Sequence, residues 1–115
     1  MIVKRRFDFL ASLDDIARES NKKYPSQRDV GMEVVYRPHS ITNVKAEVHI
    51  GNDKNDSLWL IFHKDGNIQN GDDPREFFNE EQLKERLLEV VDELMKASRS
   101  KEKLDFIRVE LENLK

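Results

Sequence analysis

The side chains that most often do chemistry are thinly spread in this chain. His39, His49 and His63 stand 10 and 14 residues apart, outside the HExxH and H-x-H spacings that bring two imidazoles to one metal ion, so they read as ordinary surface histidines. No serine occupies a G-x-S-x-G elbow, and Gly31, Gly51, Gly66 and Gly71 make no phosphate-cradling loop. The nearest approach to a ligand set is Asp65-x-Asn67-x-Gln69 with Glu76 in the twelfth position, the oxygen outline of a calcium loop. Its sixth position is Asn70 where glycine is required, and its eighth is Asp72 where an apolar residue is expected. A hairpin turn followed by a helix cap accounts for the same Asp, Asn and Gly residues. With no cysteine, thiolate nucleophiles, disulfides and iron–sulfur ligation are excluded. The expectation is therefore no catalytic residue, no metal and no cofactor.

Charge is the next source of chemistry. Lys4, Arg5 and Arg6 with Arg18, Lys22, Lys23 and Arg28 make the first 30 residues net basic, seven cations against five acids. Such a face can steer a phosphate backbone, which makes nucleic acid the second expected partner class. The rest of the chain is acidic, and the whole carries net −3, far from a dedicated nucleic-acid binder. Asp72, Asp73, Glu76, Glu80 and Glu81, continued by Glu85 and Glu89, form an acidic run that can act as a partner surface or imitate phosphates. Acids spaced along a helix with Lys84, Arg86 and Lys96 also make an ordinary solvated face.

The sharpest feature is the segment Leu58-Trp59-Leu60-Ile61-Phe62, which is apolar on both faces of a strand. Leu58, Leu60 and Phe62 point one way, and Trp59 and Ile61 point the other. A strand centred in the sheet and covered on both sides would absorb all five. Alternatively Trp59 and Ile61, rimmed by Lys45, Glu47, His49 and His63, form a docking patch, an aromatic anchor inside a polar rim. Burying that pair contributes on the order of 3–5 kcal/mol before ordering costs.

These residues need a scaffold, and 115 residues supply one domain, expected to span residues 1–115. Hydrophobic and charged residues each make up 37%, so the chain folds with little apolar surplus. No run approaches the roughly 18 apolar residues of a membrane span. The opening Met-Ile-Val-Lys-Arg-Arg-Phe-Asp places charge where a signal peptide is apolar. A cytoplasmic protein without membrane contact is expected.

Phe9, Leu13, Ile16 and Ala17 have helical spacing, and the first helix ends before Tyr24-Pro25. Val3 to Phe9 fits either the start of that helix or a short edge strand, and we favour a helix from about Lys4. Met32, Val34 and Tyr36 alternate with Glu33, Val35 and Arg37, then Val44, Ala46, Val48 and Ile50 with Lys45, Glu47 and His49, as two antiparallel strands. A third strand runs from Ser57 to Lys64 and closes at Asp65-Gly66, a hairpin signal. A loop of five residues would set His49 opposite Trp59 and His63 opposite Lys45. Asp73-Pro74-x-Glu76 predicts a helix start near residue 74, with Asn79 to Gln82 able to restart the cap. That helix continues to about Ala97. The last segment fits a helical seam of Leu104, Ile107, Leu111 and Leu114 or a strand of Ile107, Val109 and Leu111, and its composition favours helix.

The expected fold is α+β in the order α-β-β-β-α-α, a three-stranded antiparallel sheet with an N-terminal helix and one or two C-terminal helices packed on one face. That order resembles the double-stranded-RNA-binding fold, which implies a lysine cluster opening its second helix. Here Asp72-Asp73-Pro74-Arg75-Glu76 stands in that place and would repel phosphates. The order is also similar to that of some small phage inhibitors of RNA-guided nucleases. The functional expectation is a non-catalytic protein-binding module, of the kind found among phage or plasmid regulators, inhibitors and immunity proteins. Its partner is another protein or a second copy of itself, with a nucleic-acid accessory protein as the alternative.

Overall fold

The structure, a computed structural model, describes residues 7–114. Lys4, Arg5 and Arg6, and the expected helical start at Lys4, lie outside those residues. Among the described residues the order is α1 (Asp8–Lys23), β1 (Val30–Tyr36), β2 (Val44–Asn52), β3 (Asp56–His63), β4 (Ile68–Asn70), β5 (Phe77–Phe78), α2 (Glu80–Ala97) and α3 (Lys101–Glu112). The α+β class and the helix–sheet–helices order are as expected. The sheet has five strands, not three, arranged as an antiparallel meander β1-β2-β3-β4-β5.

The extra strands come from the segment that resembled a helix start. Asp73 instead closes a local turn, its side chain accepting from Arg75 N at 3.2 Å and its carbonyl from Glu76 N at 2.9 Å. Phe77 and Phe78 then pair with Gln69 and Ile68. The helix begins six residues later than residue 74, where the Asn79 side chain accepts from Gln82 N at 2.7 Å and Gln82 returns a bond to Asn79 N at 3.0 Å. Both segments carry cap chemistry, and the one followed by apolar residues at helical spacing prevails: Leu83, Leu87, Val91 and Leu94 are all buried. The predicted hairpin at Asp65-Gly66 joins β3 to β4, with Gly66 at φ 97°, a conformation that side-chain-bearing residues rarely adopt.

The register sorts β-strand residues onto two faces. Met32–Ile50–Leu58 and Val34–Val48–Leu60 form rows across the sheet on one face, extended by Ala46, Phe62 and Ile68. Against them pack Phe9, Leu10, Leu13 and Ile16 of α1 and the buried stripe of α2, together forming one core. The C-terminal segment is a helix, and α3 packs against both α1 and α2 through Leu104, Ile107 and Leu111, each fully buried. The strand alternative for residues 104–114 is thereby overturned: three buried positions at spacings of three and four are satisfied by neighbouring helices, which a strand's period would split between two faces.

One polar cluster ties the end of the chain to its beginning. Asp29, just before β1, accepts from Ser98 Oγ at 2.8 Å and also from Ser100 Oγ. These bonds hold its carboxyl below the usual carboxylate range. Lys103, only 3% exposed, donates from Nζ to the carbonyls of Val30 and Gln27 at 2.9 and 3.0 Å.

Candidate functional site

Among the described residues no helix covers the second face of the sheet, and the strand-centred patch expected from the sequence lies there. Two rows define it. Glu33, His49 and Trp59 form one; Val35, Glu47, Ile61, Gln69 and Phe77 form the other. His49 stands opposite Trp59 as the alternation and turn length predict, their rings near-parallel at 8° with centroids 6.1 Å apart. On its other side the indole lies on Gly71, where any Cβ would come within 2.2 Å of the ring, so glycine is required there by close approach. The indole Nε1 donates to Glu47 Oε1 at 2.9 Å.

Glu47 is the junction of the face. Its other oxygen accepts from Arg37 at 2.7 Å, and His49 Nε2 lies 3.6 Å from the oxygen bound to Trp59. Burial pushes the Glu47 carboxyl up, but the bonds from Arg37 and Trp59 and the nearby positive charge outweigh it, leaving it below its ordinary value. His49 Nδ1 meets Asp56 at 2.7 Å. Farther along, His63 bonds Gln69 at 2.9 Å, and Gln69 in turn donates to the Pro74 carbonyl at 2.8 Å.

The structure brings together five of the six expected patch residues: Trp59, Ile61, Glu47, His49 and His63. Lys45 leaves the group. A bulge between Val44 and Ala46 pairs His63 with Val44, correcting the expected His63–Lys45 pairing. The Lys45 ammonium lies 5.1 Å over the Phe7 ring at the start of α1. Trp59 is also less free than a docking anchor standing alone, because its ring lies against Gly71 and its N–H is committed to Glu47. Ile61 and the 52%-exposed Phe77 carry the face's accessible apolar surface.

The expected acidic and basic groups are not assembled into comparable sites. Glu76 is committed to Asn70 at 2.8 Å and to Arg86 at 2.9 Å, bonds that lower its carboxyl pKa. Asp72 and Asp73 lie in the β4–β5 loop, and Glu80 and Glu81 open α2, keeping an acidic helix start where an RNA-binding fold would be basic. On α1, Arg18 pairs with Asp14 at 3.1 Å and Lys22 is exposed, whereas Lys23 sits 5.0 Å over the Phe106 ring of α3. The residues resembling a calcium loop are spent on a turn, with Asp65 accepting from Asn67 N at 3.0 Å.

At the β1 end of the open face lies a pocket of about 440 Å³ that the sequence did not announce. Gly31 and Gly51, paired across β1 and β2, contribute to its lining, along with Glu33, His49 and Lys103. Burial lowers the Lys103 pKa, an effect that the charge of Asp29 partly offsets. A signal for Lys103 was available: it stands one turn before Ile107 and two before Leu111, on the buried seam of α3. Comparison with known proteins gives no match to any family model, any curated protein or any solved structure.

Proposed function

We propose that this chain is a non-catalytic protein-binding module of the cytoplasm that docks a foreign protein on the open sheet face. The observation that carries this reading is the combination on that face of accessible apolar groups, Ile61 and Phe77, with a polar lattice whose members are already bonded to one another. A lattice formed before binding loses little side-chain freedom on being covered, so more of the apolar burial remains as affinity. The His49–Asp56 pair is the closest approach to acid–base machinery. Among the described residues no serine, threonine or tyrosine hydroxyl is bonded to it, which supports binding over nucleophilic catalysis.

Charge selects the class of partner. Glu33 is exposed with no cation in ion-pair range among the described residues, and the chain as a whole is acidic. A second copy would set like charges against each other, and a phosphate backbone would meet the same repulsion. A protein with an apolar centre and basic rim fits.

The test uses the full chain as bait, with Ile61→Glu on the face and Arg99→Glu on the distant α2–α3 junction as the control. Wild type is expected to be monomeric by light scattering and, with the control, to retain one and the same protein that Ile61→Glu loses. Retention by all three, or a wild-type dimer that Ile61→Glu dissociates, overturns the proposal; the latter makes the occupant a second copy.

A further inference from the structure

The geometry points to the pocket over Gly31 as a binding site for a small zwitterion of the free α-amino-acid type, with a carboxylate at one end and an ammonium at the other. Its walls have opposite signs. Asn21 from the end of α1, Arg28 from the α1–β1 connection and Lys103 from α3 stand on the helical side. Glu33 from β1, Asp53 from the β2–β3 turn and Asp56 from β3 stand on the sheet side. A simple anion would be drawn to Lys103 and repelled by Glu33, and a simple cation would meet the reverse. A molecule carrying both charges satisfies both walls.

Lys103 is the strongest element of the argument. Its ammonium has three N–H donors, of which two go to the carbonyls of Gln27 and Val30. Among the described residues no carboxylate lies within ion-pair distance of it, although the side chain is 97% withdrawn from solvent, given its 3% exposure. The ammonium sits over Gly31, where a side chain would begin 3.3 Å from Nζ. Gly31 has no positive φ, so its backbone does not demand glycine. What the missing side chain provides is room for the ammonium itself at the pocket lining. A carboxylate entering the pocket would complete the third hydrogen bond and supply the counter-charge that burial has denied.

The opposite wall holds carboxylates in different states. Asp56 is engaged by His49, whereas Glu33 and Asp53 have no cationic partner among the described residues. They are the acceptors for the ligand's ammonium. The volume falls in the range of about 300–1,000 Å³ usual for small-molecule sites, leaving room for the side chain of an amino acid.

Calorimetric titration of the full chain with each common L-amino acid tests the site, followed by the N-acetyl and C-amide forms of the best binder. At least one free amino acid is expected to bind with Kd at or below about 1 mM, and each blocked form to bind about tenfold or more weakly. Because Lys103 also ties backbone carbonyls, the informative variants are Glu33→Gln and Arg28→Gln, both exposed, with folding checked by circular dichroism. Each is expected to weaken binding about fivefold or more. The inference is overturned if no amino acid binds at about 10 mM, if a blocked form binds as well as the free one, or if both folded variants bind like wild type. Ile61→Glu, which tests the protein-docking face, is expected to leave this binding intact, so the two readings fail separately.

Discussion

The two faces of the sheet are made from the same strands and held in opposite ways. On the covered face, rows such as Val34–Val48–Leu60 sit against helices, and Val48 and Leu60 are fully buried. On the open face the neighbouring row runs Val35–Glu47–Ile61–Gln69–Phe77, with polar and apolar side chains alternating across strands. The first face owes its stability to area removed from water, which is non-directional and tolerant of small shifts. The second is held by bonds with fixed directions: Arg37 to Glu47, Trp59 to Glu47, His49 to Asp56 and His63 to Gln69. A face so fixed keeps its shape without a covering layer.

Four substitutions probe that contrast. Leu60→Ala, in the middle of the covered face, is expected to cost about 2–5 kcal/mol in urea denaturation, since it removes a fully buried side chain beneath α2. Gly71→Ala is next, at about 1–3 kcal/mol, because the new methyl must displace the Trp59 ring. The same change is expected to shift Trp59 fluorescence; an unchanged spectrum with full stability would mean that the indole does not lie on Gly71.

Glu47→Gln should cost about 1 kcal/mol near neutrality by weakening the Arg37 and Trp59 bonds. Because the folded carboxyl titrates below its unfolded value of about 4.3, its stabilisation is fully present above that value. It is lost as pH falls through the lower, folded value, so the gap between wild type and variant should close below about pH 4. A gap that persists at lower pH would show that packing, not the charged bonds, holds the face. Ile61→Thr is the smallest, expected within about 0.5 kcal/mol because the residue lies on the open face. A cost near that of Leu60→Ala would show that the face is covered.

Much of this contrast was legible in the sequence. Strict alternation in β2 and the short turn before β3 set His49 against Trp59, because a two-residue period admits one register once a core face is chosen. The long stripe of α2 is equally plain, whereas the seam of α3 also fits a strand's alternation, and only its composition favours the helix it forms. Three features were hidden for different reasons. Strands of two and three residues, β4 and β5, are too short to show a period. The bulge at Lys45 breaks pairing without changing the residue pattern, so the lysine was assigned to the wrong neighbour. Lys103 carries no mark in the sequence beyond its place in the stripe, because lysine seldom loses its water. For the site, the rim of Trp59 was foreseen except at Lys45. The pocket was not, since its walls come from five elements and connections far apart in the chain.

The way in which the chain's end is fastened sets an order of events in folding. Each strand of the meander pairs with the next in sequence, so the sheet is assembled from contacts of short range that close small loops. The bonds from Ser98 and Ser100 to Asp29, and from Lys103 to Gln27, span 69, 71 and 76 residues. Such long closures come last on entropic grounds, after the sheet exists to receive them. Contacts formed after the rate-limiting barrier govern how fast a protein comes apart more than how fast it assembles. The Asp29–Lys103 region is therefore expected to act as the latch of the native state: in stopped-flow kinetics Ser98→Ala should shorten the lifetime of the folded chain while leaving its rate of formation nearly unchanged.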